Sequence, residues 1–243
     1  MTRTMRIVFS LGLSGSAFLL CGDENLKMPA QTTATNHFDF APGGTIRITR
    51  SYGDLYIEGW DKPQVELTAV KTMPYEYQPA HPELSSRHLE ALHVNAELRS
   101  PSELVISTPL PQRKRHLPAP LPATTTGGVG LEYQLHVPRR SNLMIEHKVG
   151  YVSISGVIGD VDATCHRGDI VLWLPGGETY SIDARSKLGK VYSDFPGDSL
   201  AQLLVGQSFV GSTAGGHKLH LRTGFGGITL KPILTESLAV SRR

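Results

Sequence analysis

One short sequence pattern recurs along the chain and restricts the fold more than any other feature. It consists of a glycine, then any residue, then two apolar residues separated by one other residue. The spacing is 18 residues from Gly150 to Gly168 and 21 from Gly168 to Gly189. A period of about 20 residues with short strands is typical of stacked coils. Glycine suits a corner between strands because it adopts positive φ freely. The pattern begins at six glycines: Gly53, Gly150, Gly159, Gly168, Gly189 and Gly226.

The apolar residues after each glycine alternate with polar ones, which puts one set inward and the other toward water. A single coil cannot bury its apolar side, so stacking must supply the burial. The sequence therefore predicts an all-β chain, a β-solenoid or β-helix-like stack of short strands. An ordinary β-sandwich is the competing architecture, because the spacing from Gly150 to Gly159 to Gly168 also suits it. The predicted core is Val152, Ile154, Val161, Ile170, Leu172, Leu174, Ile182, Val191, Leu219, Leu221, Ile228 and Leu230.

The first 22 residues have the order of an export signal. Arg3 and Arg6 precede a mostly apolar stretch over 7–20, which is the usual length of a signal core and short for a membrane span. Cys21 follows in a context that resembles a lipoprotein signal, although Leu20 stands where a small residue is usual. Residues 1–22 are therefore predicted to be a signal segment with Cys21 as a candidate for lipidation, and a buried N-terminal helix is the alternative.

The remaining chain divides into three parts. Residues 23–37 are polar and predicted to be a flexible lead-in, 38–232 form the β-repeat domain, and 233–243 are a tail. Nine prolines between 73 and 128 predict an irregular insertion, because proline cannot donate to a sheet ladder. Within it we expect a helix over 83–92, strands over 92–98 and 104–107, and an exposed loop over 112–128.

Composition and motifs indicate no catalytic, cofactor or metal site. The net charge of +2 gives no electrostatic reason to expect nucleic acid. His217 and His220 are three apart, which places them on opposite faces of a strand. Cys165 is expected to be a small buried residue without a disulfide. Trp60 and Trp173 are expected to pack, with a sugar-stacking Trp173 as the lesser alternative.

The glycine and strand patterns resemble a known family, the bacterial putative adhesin domains of unknown function found in exported proteins. The likeness includes Gly53-Asp54-Leu55-Tyr56-Ile57 and Tyr133-Gln134-Leu135-His136-Val137-Pro138. It extends over most of 38–232, apart from the loop at 112–128. The resemblance implies a β-solenoid-like fold and a periplasmic or cell-surface setting, and it brings no catalytic residues to transfer.

Two hypotheses of function follow. In the first, the chain is a non-catalytic exported cell-envelope protein, and its β-solenoid presents a surface for adhesion or assembly with a polysaccharide or protein partner. A lipid at Cys21 could hold it at the membrane. In the second, the chain is a carbohydrate-active enzyme or carbohydrate-binding β-helix, whose acidic residues Asp160, Asp162 and Asp169 line one face. An acidic groove lined by aromatic rings would favour the second.

Overall fold

The structure is a computed structural model that describes residues 29–74, 82–109, 125–126, 129–201, 206–211 and 216–233. The described chain is almost entirely β. Its elements are β1 (Ala30–Asp39), β2 (Thr45–Ser51), β3 (Asp54–Trp60), β4 (Gln64–Met73), α1 (Pro82–Ala91), β5 (Asn95–Ser100), β6 (Glu103–Ser107), β7 (Thr125–Thr126), β8 (Val129–Pro138), β9 (Asn142–Val149), β10 (Val152–Ser155), β11 (Val161–Arg167), β12 (Ile170–Leu174), β13 (Tyr180–Leu188), β14 (Val191–Ser193), β15 (Asp198–Ala201), β16 (Gln207–Gly211), β17 (His217–Phe225) and β18 (Ile228–Pro232).

The strands form two mixed sheets. Sheet A has the order β1-β4-β8-β3-β10-β12-β18-β14, with the short β7 beside β8, and sheet B has the order β15-β16-β13-β17-β11-β9-β2-β6-β5. Most of each sheet is parallel, from β8 to the edge strand β14 in sheet A and from β6 to β13 in sheet B. Antiparallel strands extend the parallel region on one side in sheet A and on both sides in sheet B.

Five pairs of consecutive strands cross from sheet B to sheet A at a glycine corner: β2 to β3, β9 to β10, β11 to β12, β13 to β14 and β17 to β18. We call each pair a unit. The units do not stack in chain order, because β17 and β18 lie between the units of β11–β12 and β13–β14. The described residues among the 37 from Gly189 to Gly226 include the antiparallel strands β15 and β16, which lie between β14 and β17 along the chain.

Inward side chains from the two sheets form one core, and every predicted core residue is buried. Equivalent positions of successive units lie side by side in register. In sheet A, Leu55, Val152, Ile170, Ile228 and Val191 form one such row. Each aliphatic side chain removed from water in this way contributes about 1.5–3 kcal/mol before entropy is counted. Stacking of units thus supplies the burial that no unit has alone.

One corner of every unit is a glycine that touches the glycine of the next unit. Gly53, Gly150, Gly168, Gly226 and Gly189 all have positive φ. Their amides continue the ladder across units; the Gly150 amide donates to the Arg167 carbonyl and the Gly168 amide to the Phe225 carbonyl. A Cβ on Gly168 would lie 1.9 Å from the Gly150 oxygen. We call this row the glycine column.

Gly159 plays a different part from the other five repeat glycines. It lies at the opposite corner, between β10 and β11, and its φ is not in the positive region. A Cβ there would lie 2.2 Å from the Ser141 carbonyl oxygen, so close approach alone requires glycine. Gly159 thus marks the return of the chain from sheet A to sheet B.

One sequence expectation about the flanking regions needs correction, and another is confirmed. Residues 30–37 are not a flexible lead-in, because they form most of β1, which pairs with β4 over its full length. The predicted helix is present as α1, held by a hydrogen bond from Lys71 Nζ to the Leu89 carbonyl. The loop over 112–128 lies largely outside the described residues, as do segment 1–22 with Cys21 and residues 234–243.

Candidate functional site

The outward side of the parallel part of sheet A carries three exposed aromatic residues. Strict alternation along each strand sends one residue inward and the next outward. In β12, for example, Leu172 and Leu174 are buried while Trp173 between them is exposed. We call the outward side of β8, β3, β10, β12, β18 and β14 the aromatic face.

Aromatic rings occur on every second strand of this face. Tyr56 lies on β3, Trp173 on β12 and Tyr192 on β14, with exposed fractions of 39%, 39% and 58%. Neighbouring strands are about 4.8 Å apart, so successive rings are separated by about 10 Å across the strands. Register places Tyr56 and Tyr192 in one row, while Trp173 lies two residues further along its strand. The rings therefore form a shallow zigzag across the sheet.

The strand between Tyr56 and Trp173 carries only small outward side chains. Ser153 lies beside Tyr56 in register, and Ser155 lies between Glu58 and Trp173. Two shallow depressions of about 500 and 510 Å³ adjoin at Ser155, one on the side of Trp173 and one on the side of Tyr56. Serine thus forms the floor of a continuous trough with aromatic walls.

Carboxylates concentrate at the Tyr56 end of this trough. Glu58 lies 3.6 Å from His136 Nε2, and Glu66 lies 3.4 Å from His136 Nδ1. Gln134 Nε2 donates to Glu132 Oε1 at 2.7 Å. Among the described residues that line this depression, none is Lys or Arg. Burial, followed by the nearby carboxylates of Asp54 and Glu132, raises the pKa of the Tyr56 phenol, which keeps it a neutral hydroxyl.

The Trp173 end has a different character. The Lys231 ammonium lies 5.4 Å from the centre of the Trp173 ring, an arrangement that the ring's electron-rich face favours. Asp194 lines the same depression as Lys231. The expectation that Trp173 is a packing residue is therefore wrong, whereas Trp60 does pack: it stacks on His136 and donates its Nε1 hydrogen to the Gln64 carbonyl.

A second feature lies inside the domain, beneath the glycine column. Five polar or thiol side chains occupy inward positions in register across sheet B, and all are buried: Ser51, His147, Cys165, Thr223 and Ser186. We call them the buried polar row. Thr223 Oγ1 donates to the Gly168 carbonyl at 3.0 Å, and Ser186 Oγ donates to the Gly226 carbonyl at 2.7 Å. The row thus supplies hydrogen-bond partners to glycine corners in neighbouring units.

His147 is the titratable member of this row. Ser51 Oγ and His147 Nδ1 are 2.8 Å apart, while Nε2 has no hydrogen-bond partner. Burial lowers the pKa of His147 to about 4, so the ring is neutral at pH 7. Burial likewise raises the pKa of the Cys165 thiol to about 11. Neither group is ionised or exposed, so the buried polar row is structural.

The acidic residues considered for a catalytic face are in three different places. Asp160 lies at the corner before β11 and accepts the Lys218 amide, while Asp169 lies at the glycine corner and accepts the Gly227 amide. Asp162 is on the outward side of sheet B, 3.2 Å from His220 Nδ1. They do not line one face. His217, 3.8 Å from Glu178, is separated from His220 as predicted.

Among the described residues, no group of three or more His, Cys, Asp or Glu side chains is placed to hold a metal ion. No helix in the described part of the chain combines the length and apolar character needed to cross a bilayer.

Comparison with known proteins gives matches among solved structures alone. No family model and no curated protein matches the chain. A putative cell adhesion protein from Clostridium sporogenes matches with a TM-score of 0.47 and 14% identity, over 85% of this chain and 100% of that chain. A putative adhesin from Bacteroides fragilis matches with a TM-score of 0.25 and 10% identity, over 83% and 97%. A putative adhesin from Parabacteroides merdae matches with a TM-score of 0.19 and 9% identity, over 83% of this chain and 96% of that chain.

Proposed function

We propose that this chain is an exported cell-envelope protein that acts without catalysis, by presenting the aromatic face for adhesion or assembly. The observation that carries the proposal is the set of three exposed rings on one flat parallel sheet. Exposed apolar side chains that cluster on one surface mark interaction sites more often than chance surface positions do. A sheet face that contacts only water does not require aromatic side chains at exposed positions such as those of Tyr56, Trp173 and Tyr192.

The scaffold suits this role. In the proposal, the two sheets form a β-solenoid-like stack whose units are out of chain order, which keeps the parallel strands of the aromatic face in register. Six parallel strands with full ladders hold outward side chains at fixed spacings of about 4.8 Å. Rings held on such a frame bind a partner without the loss of entropy that ordering a loop would require.

Export is part of the same proposal. It rests on the sequence of 1–22, in which Arg3 and Arg6 precede the apolar stretch, and on Cys21 as the lipidation candidate. A lipid there would hold the domain at a membrane. Several acyl chains are needed for stable anchoring, since one chain binds a bilayer only marginally.

A glycoside hydrolase is the second candidate, since acidic residues line the trough. Its carboxylates are engaged in other contacts: Glu58 and Glu66 lie on either side of His136, 3.6 and 3.4 Å from its two ring nitrogens. Glu58 lies opposite His136 and Glu132 opposite Asp54, so the backbones of Glu58 and Glu132 are four residues apart along the strands, about 13 Å. Glycosidase pairs are separated by about 5–9.5 Å. Asp54 and Glu132 are closer, but Asp54 accepts the Tyr151 amide and Glu132 accepts the Gln134 side chain.

The proposal predicts capture of cell envelope without turnover. Beads coated with the purified Cys21→Ser protein should retain fragments of bacterial cell envelope and should release no reducing sugar from them. The double variant Tyr56→Ala, Trp173→Ala should lose most of this retention. Met144→Ala is the matched control, because Met144 is an exposed apolar residue on the outward side of sheet B.

Two results would contradict the proposal. One is release of reducing sugar in proportion to enzyme, which would establish catalysis. The other is retention that the aromatic variants leave unchanged, which would place the binding surface elsewhere. The Cys21 form and the Cys21→Ser form are also compared in cell fractions, and equal partitioning of the two would remove the lipid anchor from the proposal.

A further inference from the structure

We infer that the trough of the aromatic face binds an extended, uncharged β-1,4-linked polysaccharide chain. This inference rests on the proposed function and names the class of ligand. It depends on three properties of the trough: the spacing of its rings, the small side chains between them, and the distribution of charge along its lining.

The spacing of the rings corresponds to a sugar chain. In an extended β-1,4-linked chain, every second pyranose ring presents the same apolar face, so the repeat is one disaccharide. Tyr56, Trp173 and Tyr192 occur on every second strand, at steps of about 10 Å across the sheet. That step is the length scale of a disaccharide. A chain that runs across the strands therefore passes over Tyr56 and Tyr192, which lie in one row four strands apart, about 19 Å or close to two disaccharides, and Trp173 lies midway between them and about 7 Å to one side.

The floor leaves room for the sugar units between the aromatic contacts. Ser153 and Ser155 lie on the strand between Tyr56 and Trp173, and Thr229 lies on the strand between Trp173 and Tyr192. These side chains are short and carry hydroxyl groups. They can form hydrogen bonds with sugar hydroxyls without blocking the chain. A protein partner would instead favour a continuous apolar core at the centre of the interface, which these serines interrupt.

The charge of the lining selects against an anionic chain. The Tyr56 end has Glu58 and Glu132 and, among the described residues of its lining, no Lys or Arg. The carboxylate of an acidic sugar would meet like charge there. Carboxylate oxygens are strong acceptors for the hydroxyl groups of an uncharged sugar. At the other end, Lys231 lies over the Trp173 ring and Asp194 lines the same depression, so that end carries one charge of each sign.

Sedimentation of the purified Cys21→Ser protein with insoluble polysaccharides tests the inference. Cellulose and chitin are the uncharged β-1,4-linked probes, and insoluble pectate is the anionic probe. We expect depletion of protein from solution by cellulose, chitin or both, and none by pectate. Tyr56→Ala and Trp173→Ala should each weaken the affinity about tenfold, since loss of one stacking contact corresponds to about 1.4 kcal/mol.

Controls separate this inference from the proposed function. Met144→Ala and Phe225→Ala remove exposed apolar side chains elsewhere and should leave the affinity unchanged, and thermal unfolding should show that all four variants are folded. Absence of binding to cellulose and chitin, together with face-dependent capture of envelope fragments, would overturn the polysaccharide ligand and leave the proposed function standing. Binding to pectate alone would also overturn it. Absence of binding in both the sedimentation assay and the envelope-capture assay would overturn both the polysaccharide ligand and the proposed function.

Discussion

Replacement of Gly168 by alanine is expected to lower the free energy of unfolding by about 3 kcal/mol or more. Gly168 has a φ of +140°, and a Cβ there would lie 1.9 Å from the backbone oxygen of Gly150. Relief of this clash requires two stacked units to separate, which would break the hydrogen bond from the Gly150 amide to the Arg167 carbonyl. Urea unfolding followed by circular dichroism measures the loss.

Two other glycines provide matched controls for this substitution. Gly177 has a φ of +87° with open space around the Cβ position, so alanine there introduces backbone strain without a clash. Gly176 has open space and no positive φ, and Gly176→Ala should change stability by less than about 0.5 kcal/mol. The expected order of destabilisation is Gly168, then Gly177, then Gly176. Equal losses for Gly168→Ala and Gly177→Ala would mean that the glycine column is not closely stacked.

Acidification from pH 6.5 to pH 4 is expected to remove about 3 kcal/mol of stability through His147 alone. The folded-state pKa of His147 is lowered to about 4 by burial, whereas an unfolded histidine titrates near 6.5. In this interval the unfolded chain binds a proton that the folded chain does not. The contribution of His147 to the free energy of unfolding is therefore fully present above pH 6.5. It decreases as the pH falls and no longer changes below pH 4. Urea unfolding at a series of pH values measures the slope.

The variant His147→Asn isolates this contribution from that of the carboxylates. Its amide can keep the hydrogen bond to Ser51 in place of Nδ1, and the lost Nε2 had no hydrogen-bond partner. The variant should lose most of the pH dependence between 6.5 and 4. The control is His93→Asn, since His93 is exposed, and it should keep the wild-type slope. A slope that persists in His147→Asn would show that the ring is not the group that takes up the proton.

The sequence predicts local parts of this fold well and the long-range order poorly. Alternation and glycine spacing act within a few residues, so they correctly predict that residues such as Leu172 and Ile228 face inward. Stacking order depends on which unit meets which. The inward residues of β12, β18 and β14 are all aliphatic, and nothing in Ile170, Ile228 or Val191 distinguishes one neighbour from another. The position of β17 and β18 between two earlier units could not be inferred from such a pattern.

The aromatic face could have been predicted in part. Trp173 stands between Leu172 and Leu174, so the alternation that predicts the core also directs the indole outward; a general preference of tryptophan for packing obscured that signal. The meeting of Tyr56 with Ser153 and Trp173 depends on pairing between β3, β10 and β12. β3 precedes β10 by about ninety residues along the chain, and local patterns carry no information about such contacts.

The buried polar row had a sequence signal that the glycine pattern did not include. His147, Cys165, Ser186 and Thr223 each stand three residues before a corner glycine. The inward position next to a corner lies close to backbone carbonyls, where a hydrogen-bond donor is favoured over an aliphatic side chain. Ser51 stands two residues before Gly53, and the register of β2 shifts between Ile48 and Ser51.

Hydroxyl-radical footprinting of the Cys21→Ser protein on bacterial envelope fragments tests most directly whether the chain acts through its aromatic face. Radicals oxidise exposed aromatic and methionine side chains, and mass spectrometry reports each residue separately. We expect oxidation of Tyr56, Trp173 and Tyr192 to fall on binding, while Met144 on sheet B and Phe225 at the glycine corner keep their free-state rates. Protection of Met144 or Phe225 with the three rings still oxidised at their free-state rates would contradict the account.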